Sequence, residues 1–258
     1  MTTSKHGAPF IGTWLSIGSP VIAELAGDFG FHWVLIDLEH GCATEAAVPD
    51  QLRALRGSRT IPIVRVGGVF PDQIGRLLDW GAGGIMVPHV ETAEQAAVCV
   101  QAMRYPPHGH RGVSRSVRTY GYGRKPFPEA GSEAPSTSTP FLIVQIETLN
   151  AVEQVSAIAE VDGVDVLFVG PADLQFDLKS RPHRAEIDYE QCLQQVRLAA
   201  EKAGKNSGIL VREPGDLEML MSLGFRWIAM DSDIALLRAG YQRLSGLMQS
   251  LSPLEEGS

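Results

Sequence analysis

Phe141–Gln175 reads FLIVQIETLNAVEQVSAIAEVDGVDVLFVGPADLQ. An apolar run of β-branched and large residues opens it, and Val152, Val155, Ile158 and Ala159 follow at helical spacing. A second apolar run closes it, so the stretch reads as one strand–helix–strand unit. Each apolar run leads to an acid: Glu147 closes the first and Asp173 lies just past the second, at equivalent edges of two neighbouring parallel strands. No lysine or arginine in the stretch neutralises them. Two carboxylates so placed suit a hard divalent cation, whereas either alone reads equally well as a helix cap or salt-bridge partner.

The same alternation extends through the chain. Strands are expected at Phe10–Leu15, Trp33–Asp37, Ile61–Val66, Gly84–Val87, Phe141–Ile146, Val166–Val169, Ser207–Val211 and Trp227–Met230. Helical patterns fall at Pro20–Ala26, Ala47–Arg56, Pro71–Trp80, Thr92–Arg104, Ala151–Ala159, Tyr189–Ala203, Pro214–Leu223 and Ile234–Leu251. Strands buried on both faces read as unbroken apolar runs, and eight such strands alternating with eight helices match a single-domain (β/α)8 TIM barrel over residues 1–258. Residues 1–8 and 252–258 are expected to be flexible tails. An open doubly wound sheet is the alternative, but GTWLSIGS after the first strand supplies no glycine-rich nucleotide turn.

Composition bounds the partners. A formal net charge of -8 disfavours nucleic acid and anionic membranes. The three cysteines, Cys42, Cys99 and Cys192, form no CxxC pair, which suggests reduced thiols in a cytoplasm. The N-terminal MTTSKHGAPF lacks an apolar signal core, and no apolar run approaches the ~18 residues of a membrane span. A soluble, unexported protein is expected.

Barrel active sites lie at the C-terminal ends of the strands. There the sequence places Asp37, Glu39 and His40 after strand two, Arg65 at strand three, His89 after strand four, Gln145 and Glu147 at strand five, Gly170-Pro171-Ala172-Asp173 after strand six, Arg212 after strand seven and Asp231 after strand eight. Polar groups gathered at one mouth lose hydration unless they serve or pair with one another. Schiff-base chemistry is disfavoured, because Lys5, Lys125, Lys179, Lys202 and Lys205 all fall outside strand interiors or at their N-terminal edges. A phosphorylated substrate is disfavoured by the acidic REPGD and DSDIA loops, where barrels usually bind phosphate. A cation, an arginine and a histidine remain, a set suited to a 2-oxo acid. Glu147 and Asp173 would hold the ion, and Arg65 would donate to the keto oxygen. Backbone N–H groups of Gly170–Asp173 would take the carboxylate. His40 would move the proton of the aldehyde-derived hydroxyl, with Asp37 fixing its tautomer. Leu210 and Trp14 are candidates to line the aldehyde side. The metal is Mg2+ or Mn2+ by preference, with Co2+, Zn2+ or Ni2+ also compatible.

LIDLEHG, PIVRV, GAGGIMVPHVETAEQA, RYPPHGHRG, VQIET and FVGPADL stand in an order and spacing that resembles the HpcH/HpaI family of metal-dependent (class II) pyruvate aldolases, of the phosphoenolpyruvate/pyruvate superfamily. The resemblance runs from about Gly12 to Ala235. It implies divalent metal on Glu147 and Asp173, a His40–Asp37 catalytic pair, an enolate-stabilising Arg65, and Gln145 ordering the site. It also implies a hexamer whose subunits exchange the last helix, with Asp79 reaching the adjacent subunit's histidine. The implied reaction is reversible cleavage of a 4-hydroxy-2-oxo acid to pyruvate or hydroxypyruvate and an aldehyde, with oxaloacetate decarboxylation as a side activity. A citrate-lyase or malyl-CoA-lyase-like enzyme and a non-catalytic 2-oxo acid binding barrel are the alternatives. The connection from Tyr105 to Thr139, rich in Arg, Gly, Pro and Ser, is long for a compact domain. Packing against another subunit's site would account for Arg111, Arg115, Arg118, Tyr120 and Tyr122, and the part from Ser132 to Thr139 is expected to be mobile.

Overall fold

The computed structural model describes residues 8–127, 139–181 and 187–251. The expected tails, apart from Ala8, and residues 132–138 of the loop lie outside them. Eight parallel strands close in sequence order into a barrel: β1 (Phe10–Leu15), β2 (Trp33–Asp37), β3 (Ile61–Arg65), β4 (Gly84–Val87), β5 (Phe141–Ile146), β6 (Val166–Val169), β7 (Asn206–Val211) and β8 (Trp227–Ser232). The helices are α1 (Pro20–Asp28), α2 (Val48–Ala54), α3 (Pro71–Asp79), α4 (Ala93–Met103), α5 (Leu149–Glu153), α6 (Val155–Glu160), α7 (Pro171–Ser180), α8 (Tyr189–Lys202), α9 (Leu217–Leu223) and α10 (Asp233–Leu251). The fold class is as expected. Two departures have local causes. The helix expected at Ala151–Ala159 breaks into α5 and α6 at Gln154, which leaves helical geometry at φ -97°, ψ 2°. The GPADL segment adds α7, which proline at its first position pre-sets for helix.

Two apolar layers hold the barrel. Outward-facing residues such as Val34, Ile36, Val64, Ile85, Val144 and Leu167 pack beneath the helices. Inside, Trp33, Leu35, Ile63, Met86, Phe168 and Trp227 fill the lumen with their neighbours. Trp33 is central there: its ring centroid lies 6.2 Å from Phe168 edge-on and 5.8 Å from Trp227, and its Nε1 donates to Phe10 O at 2.9 Å. Gly12 makes room for it, since a Cβ on Gly12 would fall 2.2 Å from the indole.

The connection after α4 is docked on its own chain. Arg118 donates to the carbonyls of Trp80 at 2.8 Å and Leu52 at 3.0 Å, satisfying backbone acceptors where α3 and α2 end. Tyr120 is buried and its hydroxyl meets that of Tyr105 at 3.1 Å. Arg118 and Tyr120, two of the residues expected to pack on another subunit's site, thus make these contacts within their own chain. α10 differs: it touches β1 and β8 near its start, yet Leu236, Leu237, Tyr241, Leu244, Leu247 and Met248 are exposed. Among the described residues, no helix is long and apolar enough to cross a membrane.

Trp33 fixes the lumen, so Trp33→Ala should lower the unfolding free energy by about 3–5 kcal/mol, the usual cost of deleting a buried aromatic side chain. Urea unfolding followed by circular dichroism measures it.

Candidate active site

The site starts from a rung of the sheet. β2 and β3 are in register so that Asp37 pairs with Arg65, which sets an acid and a guanidinium side by side at the C-terminal mouth. Arg65 Nε donates to Asp37 Oδ1 at 2.9 Å and Nη2 to Oδ2 at 2.7 Å, the planar two-pronged geometry that suits a carboxylate. Nη1 of the same guanidinium lies 2.8 Å from Glu39 Oε2, an ion pair without hydrogen-bond alignment. The Arg65 side chain is 7% exposed and its guanidinium lies 5.5 Å from the Trp14 ring centroid.

Asp37 is thus committed elsewhere than expected. It accepts the backbone N–H groups of Glu39 at 3.0 Å and His40 at 3.3 Å, which shapes the turn after β2, while Arg65 takes both of its oxygens. The acid oxygen beside the His40 ring is Glu39 Oε1, 3.6 Å from Nε2. The imidazole of His40 is 68% exposed, standing at the lip of the mouth.

Glu147 lies at the floor, fully enclosed. Its Oε1 accepts the His89 backbone N–H at 2.8 Å and faces His89 Nδ1 at 2.9 Å, while Gln145 Nε2 donates to its Oε2. Gly170 leaves space for this carboxylate: a Cβ there would fall 2.6 Å from Glu147 Oε2 and 2.8 Å from Gln145 Nε2. Burial pushes the Glu147 carboxyl above its ordinary range; the His89 contacts lower it, and the charges of Glu39 and Asp173 raise it further. A buried carboxylate with acidic neighbours is stabilised by added positive charge, so these residues fit a divalent cation. Donor atoms of Glu39, His89 and Glu147 lie within 4.8 Å of one another.

Asp173, in the first turn of α7, is exposed and is not one of that trio, though its charge is felt at Glu147. It faces a cavity of about 380 Å³ at the strand ends. The same cavity is bounded by Trp14, Asp37, His40, Arg65, Gln145 and the turn Gly170, Pro171 and Ala172, with Leu210 on the β7 side. Ser16, Arg212, Asp231, Ser232 and Arg238 add polar groups to its wall. Asp79 is not in this assembly. It ends α3 and pairs with Arg111 Nη2 at 2.6 Å, in a groove between α3 and α4.

Removal of one partner from a buried ion pair strands the other charge. Asp37→Asn should therefore destabilise the protein by about 3 kcal/mol, the lower end of that range because Glu39 remains beside the guanidinium. A denaturant series at pH 7 tests this, and an unchanged midpoint would show that Asp37 does not hold Arg65.

Comparison with known proteins agrees with this architecture. The chain is 39% identical over 235 residues to the 5-keto-4-deoxy-D-glucarate aldolase of Salmonella arizonae, covering 91% of this chain and 90% of that one. Among solved structures, an HpcH/HpaI aldolase/citrate lyase family protein from Burkholderia cenocepacia superposes with a TM-score of 0.83 at 34% identity, over 95% of this chain and 96% of that one. The HpcH/HpaI aldolase from Desulfitobacterium hafniense gives 0.81 at 25% identity, over 97% and 96%. Residues 11–239 match the family described as HpcH/HpaI aldolase/citrate lyase. A closed eight-strand parallel barrel with acids, arginine and histidine at the mouth, this chain belongs to the HpcH/HpaI aldolase/citrate lyase family and is a lyase of that class.

Proposed function

We propose that the protein is a divalent-metal-dependent aldolase that reversibly cleaves a 4-hydroxy-2-oxo acid into pyruvate or hydroxypyruvate and an aldehyde. One observation supports this most: Arg65, His40, Gln145 and the Gly170–Asp173 turn bound a single cavity beside the buried Glu147 carboxylate. The relative's substrate name points the same way. Numbered from its keto end, 5-keto-4-deoxy-glucarate is a 2-oxo acid with a methylene at carbon 3 and a hydroxyl at carbon 4.

The parts divide the work. α7 begins at Pro171, and its first intrahelical bond is donated by Leu174 to Gly170 O at 3.0 Å. The Ala172 and Asp173 N–H groups consequently lack acceptors within the helix and lie at its positive end, where a substrate carboxylate is favoured. Arg65 has five N–H donors, of which Asp37 takes two and Glu39 faces a third. The remaining donors, on a guanidinium already fixed in plane, are available to the keto oxygen as negative charge develops on it. His40 at the lip, with Glu39 beside its Nε2, moves the proton of the substrate hydroxyl as the carbon–carbon bond breaks. A divalent ion bound at Glu147, with Asp173 as the expected second acid, supplies Lewis acidity toward the 2-oxo acid. Leu210 and Trp14 bound the side left for the aldehyde.

Two further readings accompany this one. The exposed apolar row of α10 is covered by a second copy of the chain in a homo-oligomer, as the family resemblance implies for a hexamer. Asp79 would serve a neighbouring subunit only after release from Arg111. Three free cysteines, two of them buried, suit a reducing cytoplasm.

Exchange of pyruvate α-protons with solvent, followed by NMR, should require added metal and stop with EDTA. His40→Gln and Arg65→Lys should each lower aldol cleavage by about 10²- to 10⁴-fold, the range for a positioned proton donor or charge-stabilising group. Exchange that survives complete metal removal would refute the metal-dependent reading. Leu237→Glu with Leu244→Glu should reduce the particle mass seen by light scattering; an unchanged mass would exclude α10 from the interface.

A further inference from the structure

The cavity has a second end, away from Arg65. On β7, Leu210 packs with the lumen residues and Val211 with the layer beneath the helices. Strand alternation therefore carries Arg212 to the lumen side, and it borders the cavity roughly 6–7 Å further out than Leu210 along the strand direction. Arg238 reaches the same cavity from α10. It shares one helical face with Ile234 and Ala235, which border the cavity too. Asp233, bonded to the backbone of Ser16 and Ile17, fixes the turn from which that face starts.

Neither arginine is committed within the chain. Arg65, Arg76, Arg104, Arg111 and Arg181 each meet a carboxylate. Among the described residues, Arg212 and Arg238 have no ion-pair or hydrogen-bond partner, and both are exposed. The acids that border the cavity are engaged otherwise. Arg65 holds Asp37, and Asp173 is the expected second acid of the metal site. Asp231 has a left-handed backbone, φ 51°, like His89 at φ 55°, and its Oδ1 accepts the Ser232 N–H at 2.9 Å. Two unpaired guanidiniums on one cavity, in a chain of formal net charge -8, favour an anion between them, and their planar forks suit a carboxylate. The 2-oxo acid end of the substrate already has Arg65 and the N–H groups at the start of α7. The anion for Arg212 and Arg238 therefore sits beyond Leu210, on the other half of the substrate.

We propose that Arg212 and Arg238 are specificity-determining residues that bind a second carboxylate, carried by the aldehyde half of the substrate, so that the preferred 4-hydroxy-2-oxo acid is a diacid. The inference rests on the aldolase reading above and names its substrate class. A carboxylate is favoured over a phosphate because Glu213 and Asp216 follow Arg212 in the chain, and a dianion feels their repulsion twice as strongly. Both guanidiniums stand at the lip, so they keep their water in the free protein and give it up only when a ligand fills the cavity.

Calorimetry on the full-length protein with added Mg2+ measures the binding of 2-oxoadipate, of 2-oxohexanoate, and of 2-oxohexanoate phosphorylated at carbon 6. None has the carbon-4 hydroxyl that cleavage needs, and the first two differ only in the far carboxylate. Wild-type protein should bind 2-oxoadipate about 10- to 100-fold more tightly than 2-oxohexanoate. Arg212→Gln and Arg238→Gln should each cut that ratio by about 3- to 10-fold, and the double variant should bring it to about one. In aldol addition to pyruvate, the same variants should lose the preference for an acid aldehyde over a neutral one, read as a ratio of kcat/KM. A wild-type affinity ratio of about one would overturn the proposal. Equal losses for both ligands would do so too, because the arginines would then attract only the shared 2-oxo acid end. Tighter binding of the phosphorylated ligand than of 2-oxoadipate would overturn the carboxylate assignment. Wild-type protein that neither exchanges pyruvate protons nor binds any of the three would overturn the aldolase reading, and this inference with it; exchange that proceeds while diacid and monoacid bind alike would overturn this inference alone.

Discussion

The pairing of Asp37 with Arg65 across β2 and β3 is the contact from which the mouth of the barrel is built. Parallel register puts the two side chains on one rung, and burial makes the pair obligatory, because either charge alone would lose hydration without recompense. Arg65 held by Asp37 presents Nη1 to Glu39, which fixes one Glu39 oxygen and turns the other toward His40 and His89. His89 in turn meets Glu147, and Glu147 meets Gln145. A single chain of polar contacts thus runs from strand two to strand five, and each member is positioned by the one before it.

The charge of this chain has a physical sense. Asp37 and Glu39 share one buried guanidinium, while Glu147 is faced by the charges of Glu39 and Asp173, which raise its carboxyl further. Such a mouth gains from an added cation, which is the electrostatic ground for the metal-dependent reading proposed above.

Much of the architecture was legible in the sequence because strands buried on both faces have no polar alternation to confuse them. All eight strands lie where the apolar runs placed them, within a residue or two. The helix breaks were less visible. Gln154 is no helix breaker by propensity, so the break between α5 and α6 leaves no mark on the sequence. At the barrel mouth, strand-end position placed Arg65, Gln145 and Glu147 where the structure has them. It did not find the pairing: Asp37 and Glu39 are both near His40 along the chain, and only register across the sheet decides that Asp37 serves Arg65 and Glu39 faces the ring. His89 was seen as a strand-end residue, but its left-handed backbone, which aims it at Glu147, leaves no mark on composition or periodicity. The loop after α4 was read as reaching outward, since nothing in the sequence announces that the acceptors of Arg118 are backbone carbonyls at the ends of α2 and α3.

The carboxylate of Asp233 accepts the backbone N–H groups of Ser16 at 2.9 Å and Ile17 at 3.0 Å, and Ile234 N–H at 2.8 Å, so it fastens the loop after β1 to the first turn of α10. Ser16 and Arg238 both border the cavity, while the apolar residues of α10 from Leu236 onward point into solvent. One acid therefore links the exposed apolar face of α10 to the wall of the cavity. A tilt of α10 is delivered through that latch to the cavity wall, so the pose of the helix and the shape of the cavity are mechanically joined.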